Sequence, residues 1–145
     1  MQLLLTLHYT GAMKIKPALF IAAFMLLSSV SAQPMVDHPS LLGSWEGAMM
    51  LGHDDMTLAL TIIDEDGQLQ ARLVSAGLGI YGLPADSFSV DDGKIKAAFK
   101  RLGAEFTGKL RLAEAGDKVL RIDGDWFQSA EMVPIVLLPV AAPSF

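Results

Sequence analysis

The residue types best suited to chemistry lie around one predicted turn, in the segment MMLGHDDM. It carries three thioethers and the imidazole of His53. Thioether and imidazole groups are ligands that Cu(I) prefers. Neighbouring residues of a strand point to opposite faces, however, so Met49 and Met50 cannot easily converge on one ion. We therefore predict no metal site and no cofactor, and keep Met49, His53 and Met56 as copper candidates whose alternative role is filling gaps in a core.

The remaining polar residues do not predict catalysis. A hydrolytic triad needs a nucleophile with a base within reach. From residue 33 onwards the only histidines are His38 and His53, and no Gly-x-Ser-x-Gly turn occurs. The acidic clusters at 64–67 and 91–93 end in glycine, which is the residue choice of hairpin turns. The sequence therefore predicts a protein that is not an enzyme.

Two groups of aromatic and apolar residues are candidates for ligand binding. Trp45 and Trp126 lie in alternating segments, where they could line a pocket at a rim or belong to an ordinary core. Ile80 and Tyr81 lie in the glycine-rich segment AGLGIYGLPAD, from 76 to 86. A loop that places apolar groups outward indicates a contact surface, although it could also plug the end of a barrel.

The segment Ala104–Phe127 gives the clearest evidence for the secondary structure that carries the candidate residues. Apolar and polar residues alternate on both sides of a turn at Ala113–Asp117. A period of two is typical of half-buried β-strands. In each strand a glycine lies two residues from an aromatic on the same face, as in Phe106 with Gly108 and Gly124 with Trp126. This spacing favours a strongly curved sheet, because glycine allows a bend and an aromatic ring can cover it.

The same alternation predicts eight strands and an irregular loop over 76–86. Two strands lie in Ala104–Phe127, and the others are Leu42–Met50, Met56–Ile63, Gln68–Ser75, Ser87–Val90, Lys94–Lys100 and Glu131–Leu138. The short connections require antiparallel neighbours. We predict an all-β fold: an eight-stranded antiparallel up-and-down meander, rolled into a small closed or nearly closed barrel. An open half-barrel is the second interpretation, and an inside-out barrel of an outer membrane is the third.

The first 32 residues have the pattern of a secretory signal peptide. Lys14 and Lys16 precede an apolar run that is too short to span a bilayer, and Val30-Ser31-Ala32 is suited to cleavage. We expect translation to start at Met13. The predicted organisation is a signal region at 1–32, a flexible lead-in at 33–40, a β-barrel domain at 41–139 and a tail at 140–145. Membrane contact is expected only transiently, through the signal peptide.

The net charge restricts the class of partner that we expect, and the cysteine content indicates the compartment. The chain from residue 33 contains all 16 acidic residues and nine of the 11 basic ones, a net charge of −7. This balance argues against nucleic acid, which requires a basic face. The chain has no cysteine. An exported domain without disulfides is typical of a bacterial periplasm or exterior.

The order of several motifs resembles a known kind of domain. LLGSWEG, DEDGQLQARL, the Gly-Leu-Pro of the loop, FSVDDGKI, LGAEFTGKL and IDGDW follow one another over most of 41–138. In this order they resemble the small all-β domain that precedes the catalytic domain of secreted bacterial α/β-hydrolases. The resemblance implies a β fold and an accessory role, and it brings no catalytic residue because the chain lacks the hydrolase part.

Together these observations predict an exported, non-enzymatic β-domain that binds a small apolar ligand or a partner protein. Trp45, Ile80, Tyr81 and Trp126 are its predicted contact residues. The alternatives are a stand-alone accessory module that works with a separate secreted hydrolase, a periplasmic Cu(I)-binding protein and an outer-membrane barrel.

Overall fold

The computed structural model describes the chain from His38 to Phe145, which forms part of one compact unit. The predicted signal peptide and most of the predicted lead-in lie outside the described residues. Within the described residues, 3-10 turns occur at His38–Leu41, Ala76–Leu78 and Lys100–Leu102. The strands are β1 Gly43–Leu51, β2 Asp54–Glu65, β3 Gln68–Ser75, β4 Ile80–Pro84, β5 Ser87–Asp91, β6 Lys94–Phe99, β7 Ala104–Leu112, β8 Val119–Gln128 and β9 Glu131–Val140.

The strands form one antiparallel sheet in the order β4-β3-β2-β1-β9-β8-β7-β6-β5. The first and last strands of the meander pair with each other, which brings both ends of the domain to the middle of the sheet. The sheet curls into a half-barrel whose edges are β4 and β5. The predicted all-β antiparallel architecture is confirmed, with nine strands in the described region instead of eight.

The additional strand, β4, lies inside the segment that was predicted to be an irregular loop. It pairs with the second half of β3 across a register shift between Leu73 and Val74. Gly79 and Gly82 have φ values of +65° and +91°, which glycine adopts without steric cost. The glycines that suggested a loop therefore allow a bent strand. The pairing of β4 with β3 depends on contacts with another segment, and the periodicity within 76–86 gives no information about them.

The core lies on the inner face of the curved sheet. Trp126, Phe99 and Phe106 are fully buried there, together with leucine and isoleucine residues from β2, β3, β6, β8 and β9. The rings of Phe99 and Trp126 are 5.9 Å apart between centroids. Lysine, arginine and glutamate side chains of β6, β7 and β8 are exposed on the outer face. On β6 and β7 the apolar groups lie inside and the charges outside, which is the reverse of the arrangement in a membrane barrel.

The predicted glycine–aromatic arrangement is present, but one ring covers two glycines. Gly108 and Gly124 are cross-strand partners. A Cβ built on Gly124 would lie 2.6 Å from the Phe106 ring, and one built on Gly108 would lie 3.1 Å from it. Phe106, and not Trp126, thus covers Gly124. The absence of both side chains lets this ring lie flat against the backbone where the sheet bends.

The alternation of β7 and β8 is interrupted near the turn that joins them. The register shifts between Arg111 and Leu112, so that Leu112 pairs with Val119. Val119 is buried, whereas Leu112 and Leu120 are exposed. Strict alternation through Ala104–Phe127 predicts both leucines on the inner face, and for Leu120 this is wrong. Leu112 keeps the face of its partner Val119 but is exposed at the end of β7. A bulge shifts the pairing by one residue, and one residue moves a side chain to the opposite face.

Candidate functional site

The two tryptophans predicted to bind a ligand belong to the core. Trp45 is 2% exposed and Trp126 is 0% exposed. The indole N–H of Trp45 donates to the carbonyl oxygen of Leu41 at 2.8 Å. That of Trp126 donates to Gln128 Oε1 at 3.1 Å. The expected position of Trp45 at an accessible rim is thus corrected. Ligand contact by either indole stays a prediction that would require the core to open.

Ile80 and Tyr81 lie on edge strand β4, and their side chains face different surroundings. Ile80 is half-buried and packs against the core. Tyr81 is 73% exposed and lies beside Val74 on the outer face. Together with Arg101 and Leu102 they border a cleft of about 390 Å³. Tyr81 is therefore available to a partner, whereas Ile80 can contribute only at the wall of this cleft.

The copper candidates are brought together only in part. Met49 and Met56 are cross-strand partners, so their thioethers share the inner face. Met50 lies on the opposite face, and His53 is exposed in the β1–β2 turn. No group of three or more histidine and carboxylate side chains that could hold a metal occurs between His38 and Phe145. Copper binding stays a hypothesis supported by two thioethers and a nearby imidazole.

The largest feature that the sequence interpretation missed is the outer face of β9. Val133, Ile135 and Leu137 point into the core, and the alternate residues are also apolar but exposed. Met132 is 68% exposed and Leu138 is 52% exposed. Phe127 of β8 extends this surface, because it is the cross-strand partner of Met132. We call this surface the β9 stripe; it consists of Phe127, Met132, Pro134, Val136 and Leu138.

A signal for the β9 stripe is present in the sequence. The strand reads MVPIVLLPV from Met132 to Val140, with no polar residue at either parity. Such a run is typical of a strand that is covered on both faces. Within the described part of the molecule, only the inner face of β9 is covered by the core. The outer face is a contiguous apolar surface about 20 Å long, given roughly 3.4 Å per strand residue.

Polar contacts border the β9 stripe on both sides. Glu46 of β1, the cross-strand partner of Leu138, accepts hydrogen bonds from the Ser144 backbone N–H at 2.7 Å and hydroxyl at 2.8 Å. On the other side Asp123 of β8 is the partner of Val136. Arg111 Nε lies 2.6 Å from Asp123 Oδ2, and Arg121 Nε lies 2.9 Å from Oδ1. An apolar strip with a charged margin has the anatomy of a protein–protein contact surface.

The turn at one end of the stripe is strained. Ser129 and Ala130 join β8 to β9 with φ values of +53° and +64°. Hairpin turns of this geometry favour asparagine and glycine, because a Cβ is poorly accommodated at positive φ. Strained backbone persists where the surrounding structure enforces it, and it is concentrated at functional sites.

We expect the pKa of Asp123 to be lower than that of an ordinary aspartate. The hydrogen bond from Arg111 is the main reason that the pKa of Asp123 lies below its usual 3.8. Loss of solvation opposes this shift, and the hydrogen bond and charge of Arg121 add to the lowering. A carboxylate with a lowered folded-state pKa stabilises the fold fully above its unfolded-state pKa, and this stabilisation is lost as the pH falls through the lower value. Carboxyl carbon NMR should give a midpoint below 3.8, which Arg111→Gln raises.

Arg72→Gln is the control for this titration, because Arg72 pairs with Glu65 on distant strands. It should leave the midpoint of Asp123 unchanged. A midpoint at or above 3.8 in the unsubstituted domain would show that the arginine contacts do not persist in solution.

No protein-family model, curated protein or solved structure matches this chain. The resemblance to the accessory domain of secreted hydrolases therefore stays an expectation from the motifs. Among the residues from 38 to 145, no helix has the length and apolar character needed to cross a membrane.

Proposed function

We propose that this domain is an exported, non-enzymatic binding module that docks a partner protein on the β9 stripe. The observation that carries the proposal is the exposed outer face of a strand whose sequence is apolar on both faces. Contiguous apolar surface on a charged exterior marks contact sites, because leaving it in water is unfavourable. The leader pattern and the lack of cysteine support export to a bacterial periplasm or exterior.

A partner protein is a better candidate than a small apolar ligand, because side chains fill the interior of the half-barrel. Trp126, Phe99 and Phe106 are fully buried and fill the inner face of the sheet. A small half-barrel filled by side chains resembles a packed core more than a ligand pocket. A flat strip about 20 Å long suits a protein surface better than a compact molecule. Titration of tryptophan fluorescence with apolar dyes tests the alternative, which requires a saturable change from the buried indoles.

The absence of a catalytic constellation among the described side chains supports a binding role. His53 lies exposed in a turn. Ser75 is buried, and its hydroxyl donates to the carbonyl oxygen of Thr57 at 3.0 Å instead of facing a base. A separate secreted hydrolase is the partner that the motif resemblance implies. In that case the domain acts as an accessory module for this enzyme.

The experiment that tests the proposal compares two crosslinking positions on the outer face. A photoreactive benzoyl-phenylalanine replaces Met132 in one variant and Lys109, an exposed residue of β7, in the other. We expect covalent adducts with one exported protein in the native host from position 132 and not from position 109. Identification of an α/β-hydrolase in the adduct would support the accessory role.

The captured protein is then purified and its affinity measured with Met132→Lys and Leu138→Lys variants. Each should weaken binding by about tenfold or more, because buried anchors of an interface typically contribute over 1 kcal/mol. Lys96→Ser, a change on the charged part of the outer face, should leave the affinity unchanged. Equal adducts from both positions, or unchanged binding by the lysine variants, would refute docking on the β9 stripe.

A further inference from the structure

A second open surface lies where the half-barrel fails to close. Only Ala85 and Asp86 separate β4 from β5. The Ala85 N–H donates to Ala71 O of β3, and the Asp86 N–H donates to Ala98 O of β6, both at 2.8 Å. The chain thus changes partner at this point. After Asp86, no backbone hydrogen bonds pair β5 with the first half of β3 in the described structure, although the two segments face each other.

The gap between these segments is a cleft of about 500 Å³, bordered by residues 67–70 and 86–90. Its apolar side chains are Leu69, Phe88 and Val90, which are half-buried and pack against the core. We call this cleft the seam. The five residues of β5 make it about 17 Å long, at roughly 3.3 Å per residue.

Four polar side chains along the seam are uncommitted, whereas the Asp86 carboxylate accepts a hydrogen bond from the Lys100 N–H at 2.7 Å. The side chains of Gln68, Gln70, Ser87 and Ser89 have no hydrogen-bond partner among the residues from 38 to 145. The adjacent backbones of β3 and β5 are unpaired on the sides that face the seam. Open strand edges pair readily with another extended chain. The seam therefore offers main-chain partners, a row of amide and hydroxyl groups, and apolar side chains for alternate residues of an added strand.

The charge at one end of the seam indicates the charge of the peptide that can bind there. Gly67 borders the seam directly after Asp64-Glu65-Asp66, and Val90 borders it directly before Asp91-Asp92. Because β3 and β5 run in opposite directions, the two acidic turns meet at the same end. Arg72 pairs with Glu65 at 2.8 Å, and Lys94 is the cross-strand partner of Asp91. These two cations offset the charge only in part, because the described residues include no salt bridge to Asp66 or Asp92. A cationic segment is favoured at this end and an anionic one is disfavoured.

We propose that the seam binds a basic, extended peptide segment by strand addition. The main chain of the segment pairs with the exposed edge of β5, its apolar residues cover Phe88 and Val90, and its lysine or arginine side chains lie at the acidic turns. This site is distinct from the β9 stripe, and the proposal does not depend on docking there.

The test uses two synthetic hexapeptides with blocked ends, alternating valine with lysine or valine with glutamate. Each is titrated into the isotopically labelled domain, residues 33–145, and amide signals are followed by NMR. The lysine peptide should shift the amides of 68–70 and 87–90 in a saturable manner and slow their hydrogen exchange. The glutamate peptide should not. Added salt should weaken the interaction, because exposed charges are screened.

A charge-neutralising pair of substitutions tests the role of the turns. Asp66 and Asp92 both adopt positive φ, at +54° and +45°, which asparagine tolerates. Asp66→Asn with Asp92→Asn should therefore keep the fold and weaken the lysine peptide about five- to tenfold, through loss of two exposed charge contacts. Asp54→Asn with Asp55→Asn, at the opposite end of the sheet, should leave its affinity unchanged.

Three outcomes would overturn the proposal. The first is equal binding of both peptides or of neither. The second is a set of shifts confined to other surfaces, such as the β9 stripe. The third is a concentration-dependent shift of the seam amides without any peptide, which would show that a second copy of the chain occupies the seam.

Discussion

Replacing Trp126 with alanine is expected to lower the free energy of unfolding by about 3–5 kcal/mol, the usual cost of removing a large buried aromatic. Its indole is fully buried against Phe99 and lies between cross-strand partners Phe106 and Val133. Its N–H donates to Gln128, which in turn donates to the carbonyl oxygen of Leu102 at 3.4 Å. The substitution removes packing and leaves this chain of hydrogen bonds incomplete. Urea denaturation followed by circular dichroism measures the effect.

Phe127→Ala is the matched control, because Phe127 is the next residue and also aromatic but lies on the outer face. Its loss should change stability by less than about 1 kcal/mol, as for surface positions in general. Similar destabilisation by both substitutions would show that the inner and outer faces are assigned incorrectly. Phe127→Ala should instead weaken the partner contact proposed for the β9 stripe.

Gly47→Ala is expected to destabilise the domain by about 3 kcal/mol, the upper part of the range for overpacking. A Cβ at this position would clash with the backbone carbonyl oxygen of Val136 and would lie 3.0 Å from Ile135 Cγ1. A backbone atom cannot move aside as the end of a flexible side chain can. The clash falls between β1 and β9, whose pairing joins the two ends of the meander. Thermal or urea unfolding of the variant gives the measurement.

Gly77→Ala provides the control for the general effect of replacing glycine. A Cβ on Gly77 would lie 3.5 Å from Met56 Cγ, an ordinary contact. Stability should be unchanged or rise by about 0.4–1 kcal/mol, because alanine restricts the unfolded chain more than glycine does. Hydrogen exchange adds a second readout for Gly47→Ala, since amides of β1 and β9 should lose protection before those of β6 and β7. If Gly47→Ala were as stable as the natural domain, β9 could not approach β1 as closely as the structure places it.

The sequence predicted most of the strands because their signals are local. The alternation in β7 and in most of β8 reports burial of one face directly. The hairpin turns were also predictable: Asp66-Gly67 and Asp92-Gly93 adopt the successive positive φ values that such turns need. Even the curvature was indicated, through glycines placed two residues from aromatic residues.

Other features were missed where structure depends on residues far away in the chain. β4 is a strand because β3 offers it an edge, although its glycines and proline indicate a loop. Leu120 is exposed because a bulge changes the phase of pairing, and no local pattern specifies a bulge. The predicted contact role of Trp45 assumed a rim position, but its depth depends on how the whole sheet curls.

Chemical character and alternation along the chain therefore determined that this protein is an antiparallel β-domain with one apolar face. Only the tertiary structure decided that β1 pairs with β9, that the seam stays open between β3 and β5, and that the second apolar face of β9 is exposed. The physical reason is that side-chain direction in a strand is a local property. Which strand lies beside which, and what covers the outer face, are set by contacts between residues that are distant in sequence.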